Sequence, residues 1–429
     1  MIRMRARVLL STIIVICASE AVGAAFTVAS PILIPPSLAF LFAFEAFFVA
    51  TSALFSQLQY PLYALLIASA LVGVFHGKKP SADLLDARDV EEGSASLSPP
   101  NRTQYLMLAF ALLISTFLVA LPRLSQTLPI GGDTLYSMSV VQILAKEGPL
   151  WALRFSDRPI FYLATYALGG IFGLSVFQLF VVLPVILGAI LTASTWLLVS
   201  SFYKGAAGFA ALLTAVSLSL MRTSIDLYAS FFATSLFFLT LAAYISRDKQ
   251  RGLYRIILPL MLVVLLLSYW FLWAFLVLIL ATATLVSSDR RAKFKGLIFS
   301  NLPAAGVLGL FVLVATLMPP PTYWGFGSSF ANYLGRAVSP TGVLNYHDAT
   351  FSFASIQLVV GQGNFVMPLL AAAGLFATGP KSFALKVIYL WSCLALGLSL
   401  VSIVQTHAAL LFPLPILAGI GLRKIVERS

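Results

Sequence analysis

Residues 131–162, GGDTLYSMSVVQILAKEGPLWALRFSDRPIFY, form a long polar and amphipathic interruption in an otherwise apolar sequence. An acid, Asp133, follows the Gly-Gly pair at the start of this stretch, and a segment with a proline and two aromatic residues, Asp157–Tyr162, ends it. The sequence on either side is typical of membrane helices. We therefore expect these helices to hold the 131–162 stretch against the bilayer, and we expect any chemistry to take place there.

The composition indicates a polytopic membrane protein. Of the 429 residues, 60% are hydrophobic and only 10% are charged, and many apolar runs approach the ~20 residues that a helix needs to cross a bilayer. The formal net charge of +12 is spread over short basic clusters between these runs, which is the pattern of cytoplasmic loops in membrane proteins. The positive charge therefore indicates which loops are cytoplasmic, and we expect no nucleic acid among the partners.

The apolar runs predict an all-α membrane protein with about 13 transmembrane helices. Residues 1–76 are predicted to hold N-terminal transmembrane segments, at 8–29, 37–55 and 60–76, and residues 77–103 a polar linker. The main body is predicted to cover 104–429, with outer loops at 122–173 and 318–352. We expect its spans near 104–121, 174–200, 205–221, 226–245, 255–287, 296–317, 353–378, 384–404 and 405–422.

Two helices are predicted inside the outer loop 122–173. Residues 134–147 have helical periodicity, with one face formed by Leu135, Met138, Val141 and Ala145. Such a helix would lie in the membrane interface. Residues 159–173 are apolar but too short to cross comfortably, so a second interfacial helix is expected there.

The run 255–287 is too long for one span, and basic loops flank it on both sides. Both flanking loops should be cytoplasmic, so the chain must cross the membrane and return within this run. We therefore predict two helices that meet near Ser268-Tyr269-Trp270.

The predicted topology places few acids on the outer face: Asp133, Glu147, Asp157, Asp226 and Asp348. Asp133 is the best candidate for a carboxylate base. Its position before a helical stretch also suits a helix N-cap, and the two roles are compatible. Asp226 suits a cap or an ion pair with Arg222, and Asp157 and Arg158 suit a local surface pair.

Cations on the predicted outer face are candidates for holding a lipid phosphate. Arg336 and His347 lie in the loop 318–352, and His407 begins the last predicted span. A lone histidine is more often structural, so that alternative stays open for His407.

The sequence contains no Walker A, HExxH or GxSxG motif, which argues against direct use of a cytoplasmic nucleotide and against those hydrolase classes.

The order of motifs in the 131–162 stretch resembles that of a known family. Gly-Asp-Thr-x-Tyr, an amphipathic helix, Gly-Pro and then Asp-Arg-Pro-Ile-Phe-Tyr resemble the first outer loop of polyprenyl-phosphate-dependent GT-C glycosyltransferases. The protein mannosyltransferase and aminoarabinose transferase type is the most similar. Downstream, Met221-Arg222 through Asp226 resembles the family's outer "Arg, several residues, Asp" motif. The resemblance covers about 104–422.

The resemblance implies an inverting glycosyltransferase at the plasma membrane, with its active site on the outer face. The donor would be a polyprenyl-phosphate-linked sugar, the acceptor a glycan, lipid or protein, and membrane lipids would surround the chain. Asp133 would be the general base that activates the acceptor by accepting its proton. A divalent cation is left open, with Asp133 and Asp226 as candidate oxygen ligands. The expected substrate-binding residues are Asp226, Arg222, Arg158, Arg336, His347 and His407.

Two other classes of protein stay open. In a transporter or lipid flippase, Asp133 and Asp226 would bind or gate the substrate, but transporters usually show broken helices in matching repeats, and the single broken run has no partner. In a non-catalytic membrane subunit, the 131–162 stretch would be a docking surface.

Overall fold

The computed structural model describes residues 60–72, 102–124, 132–217, 227–246, 251–317, 366–378, 382–401 and 411–428, with Leu220 and Ser224 as single residues. Within these ranges every regular element is an α-helix. The chain divides into two compact units, each assembled from separate stretches of sequence.

In chain order the described helices are α1 (Tyr60–Val72), α2 (Arg102–Leu124), α3 (Gly132–Glu147), α4 (Leu150–Phe155), α5 (Pro159–Phe172), α6 (Val176–Ser200), α7 (Lys204–Ala215), α8 (Tyr228–Ser246), α9 (Arg251–Ser268), α10 (Trp270–Leu285), α11 (Arg290–Leu317), α12 (Val366–Thr378), α13 (Phe383–Val401) and α14 (Leu414–Arg428).

Four helices in the described residues are long and apolar enough to cross a membrane. They are α6, α8, the part Arg102–Leu121 of α2 and the part Arg290–Val314 of α11. Shorter apolar helices accompany them, among them α5, α10 and α13. The predicted spans 8–29 and 37–55, the linker residues 77–101 and the loop 318–352 lie outside the described residues, so the total of about 13 spans stays a prediction.

The predicted break in the run 255–287 is confirmed, since α9 ends at Ser268 and α10 begins at Trp270. Tyr269 between them is extended, with φ −167° and ψ 97°. Its N–H still donates to the Leu265 carbonyl oxygen of α9 at 2.8 Å, while its own carbonyl oxygen accepts the Leu272 N–H of α10 at 3.1 Å. The chain therefore changes direction at a single residue.

The two helices predicted at 134–147, from periodicity, and at 159–173, from a short apolar run, are both present. The first, predicted at 134–147, is α3, and the second, predicted at 159–173, is α5. The six-residue helix α4 between them was not predicted, because so short a segment shows too few turns for periodicity to reveal it. Their position in a membrane interface stays a prediction.

Some predicted boundaries were wrong because apolar composition does not mark where a helix begins or ends. The last span was predicted at 405–422, but α14 begins at Leu414 and continues to Arg428. Its basic end is stabilised by Glu427, whose carboxylate accepts from Arg423 Nε at 2.7 Å and from Lys424 Nζ at 2.8 Å. Similarly, α11 begins at Arg290 and not at 296.

Unit 2 consists of the described residues of Arg123–Ser201 and Arg222–Tyr346, and it contains the 131–162 stretch. The helices α3, α4 and α5 pack against one another, and α5 also packs against α6, α8 and α9. Aromatic contacts join these layers: the Phe161 and Phe232 ring centroids are 6.0 Å apart and those of Phe180 and Tyr228 are 5.8 Å apart. The stretch thus rests on apolar helices, as the sequence predicts.

Unit 1 consists of the described residues of Met1–Pro122, Phe202–Met221 and His347–Ser429. Its helix α14 packs closely against α12 and α7. Glycines make the close approach of α12 and α14 possible. A Cβ atom added at Gly374 would collide with the Leu417 carbonyl oxygen, and one added at Gly421 with the Leu370 carbonyl oxygen. Small residues serve the same purpose at helix interfaces in membranes generally.

We expect Gly374→Ala to lower the Tm of the purified protein in detergent, since the added methyl group must displace backbone atoms of α14. Overpacking of this kind costs about 1–3 kcal/mol. Gly397→Ala on α13 is the matched control, because a Cβ there meets no atom of the described structure within 4 Å. Equal Tm values for the two variants would contradict the close packing of α12 and α14.

Candidate functional site

The turn between α4 and α5 places two charged residues side by side. The Ser156 N–H donates to the Ala152 carbonyl oxygen at 3.0 Å and ends α4, and the Arg158 N–H donates to Ser156 Oγ, also at 3.0 Å. Arg158 has non-helical backbone angles, φ −138° and ψ 58°, because the residue before a proline is disfavoured in the helical region. Pro159 then starts α5, a position that suits its fixed φ.

Asp157 and Arg158 form a partly buried ion pair. Arg158 Nε lies 3.3 Å from Asp157 Oδ2, and the side chains are 26% and 25% exposed, respectively. The sequence left open a local surface pair at this position. The pair is indeed local, but it is withdrawn from water, so each charge depends on the other more than surface charges do.

The ring of Tyr269, the residue at the α9–α10 break, packs against the Arg158 guanidinium. Arg158 Cζ lies 4.9 Å from the centroid of the Tyr269 ring, within the range of a cation–π interaction. The Tyr269 side chain is itself buried, with 7% exposure. The turn after α4 and the break after α9 therefore meet at one guanidinium.

Asp133 and Tyr136 lie near the start of α3, the helix that packs against α4 and α5. Partial burial raises the pKa of Tyr136, and the negative charges of Asp157 and Asp133 raise that pKa further, while the charge of Arg158 lowers it. These charge interactions place the start of α3 and the turn between α4 and α5 in one electrostatic environment. We call Asp133, Tyr136, Asp157, Arg158 and Tyr269 the acid–cation cluster.

Arg158 stays firmly protonated in this cluster. Burial alone would lower the pKa of its guanidinium, but Asp157 raises that pKa, with further contributions from Tyr269, Tyr162 and Asp133, and the net shift is upward. Tyr162, on α5, is fully buried next to Ser137 of α3. The cluster thus offers a permanent positive charge close to an exposed carboxylate, that of Asp133.

Asp133 lies in the first turn of α3 and not at the N-cap, because the helix already includes Gly132. The N-cap role that the sequence left open for Asp133 is thus replaced by a first-turn position, where a negative charge still interacts favourably with the helix dipole. The side chain is exposed, so a substrate can reach it.

A buried hydrogen-bond network anchors the same turn from the interior of unit 2. Thr134, next to Asp133, donates from Oγ1 to the Tyr228 hydroxyl oxygen at 3.2 Å. Arg123 donates both to the Tyr228 hydroxyl oxygen and to the Ser224 carbonyl oxygen. All four residues are buried. We call them the Arg123 network, and it fixes the residue that follows the candidate base.

The structure brings together two of the predicted site residues, Asp133 and Arg158. The other predicted substrate-binding residues lie outside the described residues: Arg222, Asp226, Arg336, His347 and His407. Within the described part of the chain, no group of three or more His, Cys, Asp or Glu side chains is arranged to hold a metal ion. The divalent cation suggested for Asp133 and Asp226 therefore stays a hypothesis.

Sequence reasoning missed three residues of this site: Arg123, Tyr228 and Tyr269. Arg123 had a usable signal, since a lone cation at the end of an apolar span is costly unless it has a specific partner. Tyr269 was singled out as part of a break, but its contact with Arg158 joins distant segments, and no local pattern reports such a contact. Tyr228 had no signal beyond its closeness in sequence to Asp226.

The fold is similar to that of a known glycosyltransferase. The oligosaccharyltransferase of Archaeoglobus fulgidus, solved in complex with zinc and sulfate, matches with a TM-score of 0.51 and 16% sequence identity. The match covers 74% of this chain and 48% of that protein, so the chain spans about half its length. No protein-family model and no curated protein matches the sequence. The likeness shows that the two proteins share a fold.

We expect Tyr228→Phe to lower the Tm, because it removes the hydroxyl that joins Arg123 to Thr134. Leaving such buried groups without a partner costs about 1–3 kcal/mol. The control is Tyr166→Phe on α5, which removes the hydroxyl of a half-buried tyrosine outside the Arg123 network. A Tm for Tyr228→Phe as high as that of the control would show that the network contributes nothing to stability.

Proposed function

We propose that the chain is an inverting membrane glycosyltransferase that moves a sugar from a polyprenyl-phosphate donor to an acceptor. Two observations support the proposal. The fold is similar to that of an oligosaccharyltransferase, and an exposed acid, Asp133, lies in the same electrostatic cluster as a permanent cation, Arg158. Fold alone does not define an activity, so the proposal depends mainly on the acid–cation cluster.

Asp133 acts as the general base in this proposal. The acceptor hydroxyl loses its proton to the Asp133 carboxylate while its oxygen forms a bond to the anomeric carbon of the sugar. The bond between that carbon and the phosphate oxygen breaks on the opposite face, and the lipid phosphate leaves with the electron pair. Attack from the opposite face inverts the configuration of the sugar.

Arg158 stabilises the negative charge that grows on the departing phosphate. Fixed cations next to a leaving group act mainly in the transition state, where the charge is greatest. Arg222, Arg336, His347 and His407 are the further proposed contacts to the donor, and Asp226 is a proposed contact to the substrate or a metal. The acceptor is a glycan, a lipid or a protein, and the reaction takes place on the outer face of the plasma membrane.

We expect Asp133→Asn to abolish most of the transfer while the protein still folds. Loss of a general base lowers the rate about 10²–10⁴-fold, whereas loss of a charge in the first turn of a helix costs only about 0.3–1 kcal/mol. The measurement is the amount of polyprenyl-phosphate-linked sugar, determined by mass spectrometry, in cells that lack the wild-type protein and carry the variant. The unused donor should accumulate as it does without the protein.

Glu147→Gln is the matched control for Asp133→Asn, because Glu147 is an exposed acid at the opposite end of α3. This control should restore the normal level of lipid-linked sugar. If Asp133→Asn restores that level as well as Glu147→Gln does, Asp133 is not the base. That result would favour a transporter or a non-catalytic membrane subunit.

The outward orientation of the site has its own test. In a protein without Cys17 and Cys393, we expect Ser139→Cys on α3 to react in intact cells with a membrane-impermeant thiol reagent. Ser288→Cys, next to the basic start of α11, should react only after the cells are opened, since basic loops are retained inside. Both serines are exposed, so accessibility to water is matched. The reverse pattern would overturn the proposed orientation.

A further inference from the structure

The helix break at Tyr269 has no sufficient cause in the local sequence. Sharp breaks in helices usually fall at proline or glycine, and Ser268-Tyr269-Trp270 contains neither. Ser268 Oγ donates back to the Val264 carbonyl oxygen at 2.6 Å, which bends a helix slightly but does not end it. Where local preference and structure disagree in this way, a functional constraint is a common reason.

The contact between Tyr269 and Arg158 supplies such a reason. Tyr269 has extended backbone angles at the break, and the centroid of its ring lies 4.9 Å from Arg158 Cζ. Phe271 packs against the same ring at 6.3 Å, with the two planes at 67°, so the tyrosine ring is itself held in place. The helix α9 also packs against α5, whose first turn follows Arg158.

We propose that Tyr269 is a positioning residue that holds the Arg158 guanidinium in place for the phosphate of the lipid-linked donor. The proposal rests on the proposed function. Tyr269 acts through Arg158 and does not touch the reacting atoms.

The geometry of a guanidinium makes this arrangement effective. The group is planar, and its N–H donors lie in the plane while its faces stack on aromatic rings. Asp157 Oδ2 lies 3.3 Å from Arg158 Nε, and Arg158 Cζ lies over the Tyr269 ring. A cation–π contact supplies no acceptor atom, so it leaves the N–H donors of the guanidinium available to oxygen ligands such as those of a phosphate. The ring thus restricts a flexible side chain without competing for its donors.

The test measures binding of undecaprenyl phosphate to the purified full-length protein in lipid nanodiscs. We expect Tyr269→Leu to weaken binding about tenfold, which corresponds to about 1.4 kcal/mol. Tyr269→Phe keeps the aromatic face and should bind within about twofold of the wild type. If Tyr269→Leu fails to assemble, Tyr269→Met, which is also unbranched at Cβ and lacks a ring, takes its place.

A double variant distinguishes positioning from general damage. If Tyr269 acts through Arg158, then Arg158→Gln with Tyr269→Leu should bind no worse than Arg158→Gln alone. Phe275→Leu is the matched control, since it removes a buried ring of α10 that packs against Phe237 and Phe271, and it should weaken binding much less than Tyr269→Leu.

The outcomes separate this inference from the proposed function. A wild-type protein that does not bind undecaprenyl phosphate would refute the proposed donor class. A wild-type protein that binds it, together with a Tyr269→Leu variant that binds equally well, would refute the positioning role alone. Fully additive losses in the double variant would refute that role too, because Tyr269 would then act independently of Arg158.

Discussion

The partly buried guanidinium of Arg158 is the charge on which the arrangement of unit 2 depends. A charge withdrawn from water is costly unless other groups replace the lost solvation. Asp157 supplies an opposite charge and Tyr269 supplies the face of an aromatic ring. Both contacts require a particular backbone, namely the non-helical turn before Pro159 and the break after Ser268. Solvation of one cation thereby joins two segments that lie far apart in the sequence.

The Arg123 network supports Asp133, as Asp157 and Tyr269 support Arg158. Asp133 is exposed, so it has few contacts of its own to hold it, but its neighbour Thr134 is buried and bonded to Tyr228. A functional group on a rigid helix with an anchored neighbour is placed more accurately than one on a loop. Both supports lie within unit 2.

The sequence predicts most of the fold of unit 2 but only part of the site. Periodicity locates α3 and a short apolar run locates α5, because both signals are local in the sequence. The basic loops that flank 255–287 locate the break at Tyr269, because basic loops stay on the cytoplasmic side of a membrane. The start of α14 was misplaced, since hydropathy does not mark the residue at which a helix begins within an apolar run. The contacts of Arg158 with Tyr269 and of Arg123 with Tyr228 depend on tertiary packing, which a single sequence does not report.

The cluster also explains why the 131–162 stretch contains two acids near one cation. A lone carboxylate beside Arg158 would be held by it, and an acid held in an ion pair is a poor acceptor for a proton. Asp157 lies within 3.3 Å of Arg158 and takes the role of its ion-pair partner, while Asp133 stays exposed at the start of α3. In the proposed mechanism the two acids therefore have different roles: Asp157 balances the charge of Arg158, and Asp133 accepts the proton of the acceptor hydroxyl.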